Sequence, residues 1–172
     1  MAFVNSSTIG VDFNNSSTTA LFGLGTEVLG SGASEWTYVF ATAAITTGQV
    51  CGIYPGGTAI LVSTALMGGA GPAGTTGLLN FGVAQTAIAA GSFGWLARRG
   101  MGMYVQCSGT CAPVSLGIAD TSGALAPQSS ITAGSSCAGI FITTSASTAT
   151  LSVQGIATLS WPRGVVATIP NS

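Results

Sequence analysis

Histidine and lysine are absent from this chain of 172 residues, and charge of either sign is nearly so. Three arginines stand against four acidic residues, Asp12, Glu27, Glu35 and Asp120. Without imidazole or a lysine amine, His-based triads and Schiff-base chemistry are unavailable, which argues against an enzyme. Three arginines cannot neutralise a phosphate backbone, so nucleic acid is excluded as a partner. Long apolar runs are missing too. Residues 36–97 carry no charge, yet Gly, Pro and Thr interrupt them throughout. The most apolar window, "TAILVSTALMGGA", falls short of the roughly 20 residues that a spanning helix needs, so no membrane segment is expected. The opening "MAFVNSST" has no basic n-region, and the expectation is a soluble, β-rich protein made in the cytoplasm.

A charged fraction of 4% is far below the roughly 25% usual for soluble domains. Hydrophobic residues make up 47% of the chain, so it folds rather than staying disordered. Its solubility must come from Ser, Thr, Asn and backbone amides, or from hiding surface in an assembly.

The pattern that is present is β. Turn signals such as "GSG", "PGG", "GGAGPAG", "SGT" and "TSG" recur at short intervals, favouring many short strands. Residues 1–19 are polar, small and weakly patterned, and read as an N-terminal arm; a single β domain is expected over 20–172. In "LSVQGIATLSW" the alternate positions from Leu151 to Trp161 are apolar or small, which predicts a half-buried strand with a bend or bulge at Gly155. The preceding "CAGIFITT" pairs with it as a hairpin. "TEVLGSGASEWTYVF" predicts a hairpin turning at "GSG", with Trp36, Tyr38 and Phe40 on one face and Glu27 opposite Glu35. A third hairpin is expected around "FGWLARRGMGMYV", with Phe93, Trp95 and Ala97 sharing a face and the turn at Arg99-Gly100.

A faint echo links "AITTGQVCGI" (44–53), "AIAAGSFGWL" (87–96) and "SITAGSSCAGI" (130–140). Each has Ile, two small residues and then Gly before a new strand. It reads as one turn solution used three times, in which a strand ends at isoleucine and glycine allows a sharp re-entry.

Few residues offer chemistry. Glu27 and Glu35 with Trp36 and Tyr38 have the ingredients of a glycosidase, but two solvated glutamates explain them as well. The aromatic row reads as core or subunit interface. Cysteines at 51, 107, 111 and 137 lack zinc-finger spacing and read as buried thiols, with a Cys107–Cys111 disulfide left open. No catalytic, metal or cofactor site is expected. The adjacent Arg98 and Arg99 either guard a hairpin edge or reach a carboxylate on a neighbouring subunit.

The runs "LGTEVLGSGASEWTYVFATAAITTGQVCGI", "FGVAQTAIAAGSFGWLARRG" and "CAPVSLGIADTSGAL" resemble small late-region proteins of tailed bacteriophages that decorate or cement the head. The resemblance covers about residues 20–162 and rests on spacing and turn glycines. It implies a compact all-β subunit, an antiparallel barrel or sandwich of β-tulip-like or jelly-roll-like form, that forms a homotrimer on the capsid exterior. There it binds the major capsid protein at local three-fold points, bridges neighbours and carries out no reaction. Trp36, Tyr38, Phe93, Trp95, Arg98, Arg99 and Trp161 are the expected interface residues. The arm is expected to pair with an exposed capsid strand. A glycan- or receptor-binding module of a fibre or surface is the alternative.

Overall fold

The computed structural model describes residues 11–61, 80–107, 118–119, 123–126, 136–142 and 153–165. For 118–119, 126, 136–139, 141–142 and 153–165 it describes the backbone alone. These residues are all-β, as the turn-rich sequence predicts. The elements are β1 (Glu27–Leu29), a 3-10 turn (Ser31–Ala33), β2 (Glu35–Ala41), β3 (Val50–Ile53), β4 (Thr58–Leu61) and β5 (Asn80–Ala84). They continue with β6 (Ser92–Cys107), β7 (Ile118–Ala119), β8 (Leu125–Ala126), β9 (Ser136–Ile142) and β10 (Val153–Val165).

Five strands close on themselves. β2 pairs with β6, β6 with β5, β5 with β3, β3 with β4, and β4 returns to β2. The last contact, Phe40 with Thr58 and Ala41 with Ala59, is parallel, so this small barrel is mixed rather than purely antiparallel. A ring this narrow has room only for small or slim side chains. Val39, Ala41, Cys51, Ile53, Ala59, Ala84 and Leu96 supply them. Gly94 has no Cβ at all, and the Ile88 methyl Cδ1 lies 2.7 Å from where one would stand.

Ile45 and Ile88, the matching isoleucines of the first two echo segments, meet at the end of this interior. Each backbone N–H donates to the other's carbonyl at 2.9 Å. Both side chains are buried in the barrel core. The two segments therefore do more than repeat a turn: they pair with each other. Residues 130–135 of the third segment lie outside the described residues.

A second core lies on the outer face of the barrel. Trp36, Tyr38, Val50, Phe81, Val83, Trp95 and Ala97 point into it from β2, β3, β5 and β6. It is covered by Val11 and Phe13, by Val105 and Cys107, and by Leu125 and Ile140. In the described part of the expected arm, residues 11–19, Val11 and Phe13 are thus anchored in the core while the other residues stay exposed or half-buried. Phe13 stacks on Trp36 at 4.6 Å, and Ser17 forms a two-way backbone bridge with Phe93.

The hairpin expected at Arg99-Gly100 is absent. β6 runs from Ser92 to Cys107 as one strand, and its two halves pair with other strands and not with each other. Its first half pairs with β2 and β5; its second half pairs with β10. Two bulges replace the turn. Between Glu35↔Arg99 and Trp36↔Ala97, β6 has one residue more than β2. Between Ala157↔Met103 and Leu159↔Gly100, it has one more than β10. Gly102, at φ 71°, takes the left-handed conformation that the second bulge requires. The strand thereby turns a corner onto the outer face, where Gln106 N–H donates to the Gly48 carbonyl at 2.8 Å.

The hairpin of "GSG" forms, with the 3-10 turn at its tip and Gly30 N–H donating to Ser34 O at 2.8 Å. The antiparallel pairing of β9 with β10 also forms; β10 spans Val153–Val165 and so runs beyond Trp161, while residues 151–152 of the expected strand lie outside the described residues. Its irregularities fall after Ala157 and between Leu159 and Arg163 rather than at Gly155. The second interval contains Pro162, which has no N–H to give to a ladder.

Candidate functional site

Four of the chain's seven charged residues gather at the other end of the barrel from Ile45 and Ile88. β1 and β2 supply Glu27 and Glu35, and β6 supplies Arg98 and Arg99. In a regular strand, adjacent side chains point to opposite faces. The extra residue in β6 at this level lets both arginines turn to the same hairpin. Arg98 Nη1 donates to Glu27 Oε1. Arg99 Nη1 donates to Glu35 Oε1 at 3.3 Å.

The expected cross-strand register is shifted. Glu27 stands opposite Thr37, and Glu35 opposite Leu29, because the 3-10 turn moves the hairpin centre one residue beyond Ser31. Each glutamate answers to an arginine instead of to the other glutamate, which removes the geometry of a carboxylate pair working on a glycosidic bond. The arginines likewise sit mid-strand and not at a hairpin tip, so edge protection does not explain them. Both carry a carboxylate from their own chain.

Beside the quartet lies a cleft of about 260 Å³, lined by Glu27, Val28, Leu29, Glu35, Trp36, Thr37 and Arg98. Thr37 is only 3% exposed, and its hydroxyl has no hydrogen-bond partner. Arg98 Nε is in the same condition. Leu29, which lines the cleft, is 66% exposed, and Met101, two residues after Arg99 on β6, is 78% exposed.

The aromatic residues expected at an interface are largely committed within the protomer. Trp36, Tyr38 and Trp95 are each 2% exposed. The Trp36 indole N–H donates to Ser34 Oγ at 3.1 Å, and Tyr38 Oη accepts from Leu21 N–H at 3.1 Å. Tyr38 and Trp95 are 4.9 Å apart, centroid to centroid, and Phe22 packs edge-on against both. Phe93, half-buried, stacks near Tyr38 and borders a smaller cavity of about 100 Å³ with Asp12, Asn15 and Leu21. Trp161 lies on β10, which is described by its backbone alone. The structure brings Arg98 and Trp36 together at the cleft, holds Arg99 next to it through Glu35, and puts Phe93 at the separate cavity.

Sequence reasoning missed Thr37, whose hydroxyl sits on the barrel-facing side of β2 with Val39. The signal was available: Thr37 is the one polar residue in "WTYVFA". Cys51 and Cys107 are buried, as expected of apolar thiols. Burial pushes the Cys51 thiol far above its ordinary range, so it stays protonated and unreactive. Cys111 lies outside the described residues, as does any disulfide it forms. Among the described residues no group of His, Cys, Asp or Glu is placed to hold a metal ion.

No protein-family model and no curated protein matches the chain. Its fold is similar to that of a solved structure, the N base of the head fibre gp8.5 in bacteriophage phi29. The likeness covers 74% of this chain and 95% of that one, with a TM-score of 0.50 and 8% identity, and it is a likeness of fold.

Proposed function

We propose that this chain is a structural protein of a phage virion. It sits on the outside of the capsid at local three-fold positions, as a homotrimer, and ties neighbouring major capsid subunits together. The observation that carries this reading is the fold shared with the base of a phage head fibre across nearly all of that base. The "LGT", "GVAQ" and "GSFGW" runs, with their resemblance to head-decorating proteins, point the same way.

The physical mechanism is the covering of uncharged area. Few charges remain outside the ion-paired quartet, so association gains little from long-range steering and depends little on salt. Trp36, Tyr38 and Trp95 act from beneath: they hold the barrel and its covering layer rigid, and rigid surfaces lose less entropy on docking. Among the described residues, the half-buried Phe93 and the exposed Leu21, Leu24, Leu29 and Met101 are apolar groups open to a neighbour. A glycan platform on Trp36 has no free ring, since Phe13 stacks on that indole.

Co-sedimentation of the purified chain with emptied phage heads tests the reading, with native mass measured in parallel. Saturable binding at a fixed number of copies per shell is expected. A monomer that ignores the heads overturns it.

A further inference from the structure

We infer that the cavity bordered by Asp12 and Phe93 is a binding site for a basic side chain, a lysine or an arginine, presented by a protein neighbour. Two tethers build this hollow. Ser17 and Phe93 of β6 exchange backbone hydrogen bonds at 3.0 and 2.7 Å, and Leu21 N–H donates to Tyr38 Oη of β2 at 3.1 Å. Between the tethered chain and the two strands, about 100 Å³ is left open. Tyr38 and Trp95 line it but are almost wholly covered. A ligand therefore meets the half-buried Phe22 and Phe93 and the exposed Asp12, Asn15 and Leu21.

Charge and size select the occupant. Among the described residues, Asp12 is the one acidic side chain without an arginine, since Glu27 holds Arg98 and Glu35 holds Arg99. Its carboxylate accepts the Asn14 N–H at 2.9 Å and has acceptor positions to spare. An anion is repelled there, and a purely apolar side chain strips water from the carboxylate without replacing it. A cation gains from the carboxylate and from the aromatic surroundings together. Lysine and arginine also bring an alkyl stem, which suits Leu21 and Phe93. A sugar ring is too bulky, because benzene alone takes a cavity of about 150 Å³.

This deepens the virion reading by naming what a protein neighbour offers to this face, but its test needs no phage heads, so the two fail separately. The acetylated methylamides of lysine and arginine stand for the two side chains, and that of norleucine is the neutral counterpart of the first. Backbone amide resonances in a nitrogen-15 correlation spectrum report where each one binds. Either basic probe should shift Asn15, Ser17, Leu21 and Phe93 saturably and leave Glu27 and Glu35 unmoved. Asp12→Asn keeps an oxygen for the Asn14 N–H, and it should raise the titration midpoint about fivefold, the loss expected of one partly exposed charge pair. The proposal is overturned if neither basic probe moves the cavity amides. It is overturned equally if the norleucine probe or glucose moves them as effectively, or if Asp12→Asn leaves the midpoint in place.

Discussion

Arg98 and Arg99 are neighbours in sequence, yet each closes an ion pair on the same hairpin, with Glu27 on β1 and Glu35 on β2. The pairs span 71 and 64 residues of chain, so they fasten the long strand β6 to the first hairpin of the barrel. The two are not equal. The Arg98 side chain is 15% exposed and that of Arg99 is 43%.

That difference sets the cost of removing each. Arg99→Ala should destabilise by less than ~1 kcal/mol, because solvent screens a pair so exposed. Arg98→Ala should cost more, about 1–3 kcal/mol, since its buried stem is lost together with the pair. Urea unfolding curves of the two variants decide it, and equal midpoints would contradict the assignment.

Thr37→Val tests the orphaned hydroxyl directly. Removing a buried polar group that has no partner is neutral or stabilising, here by up to ~1 kcal/mol. Thermal melting of the variant should show no loss. A marked drop in Tm would mean that the hydroxyl is hydrogen-bonded in solution.

Gly94→Ala places a methyl group against Ile88 inside the closed ring. The expected cost is about 1–3 kcal/mol of overpacking. Trimming Ile88 to Val in the same chain should recover part of it, and a double-mutant cycle reads the coupling.

Phe13→Ala should cost roughly 3–5 kcal/mol, the usual price of emptying a core aromatic site. Phe13 is 1% exposed and touches Trp36 and Trp95. Tryptophan emission should move to longer wavelength as those rings lose cover. A near-wild-type melt would mean that residues 11–19 are a loose arm after all.

Cys51 gives the pH dependence. Its thiol is raised by burial, so the folded chain keeps a proton that the unfolded chain releases above about pH 8.5. This contribution to stability is intact below that value and declines as pH rises past it. The Tm of the parent relative to Cys51→Ala should therefore be constant from about pH 5 to 8 and fall at higher pH.

The local features were legible in the sequence. "GSG" between two patterned runs gave the β1–β2 hairpin, and alternation put Trp36 with Tyr38 and Trp95 with Ala97 on their shared core face. What failed was local punctuation read without its context. "RGMG" has the composition of a turn, but its glycines serve bulges, and only the pairing partners of each half distinguish the two. The parallel contact of β2 with β4 closes the ring through just two residue pairs and leaves no periodic trace in the chain. Phe13 was hidden for another reason: one aromatic residue in a polar stretch has no period to reveal it.

Ring closure also bears on stray association between chains. Lysines on exposed strand edges commonly deter stray pairing, and this chain has none. For the five barrel strands the main-chain donors and acceptors are turned to one another around a circle, which removes their open edges as templates for further strands. For these five strands, topology thus takes over the gatekeeping that electrostatic repulsion performs elsewhere.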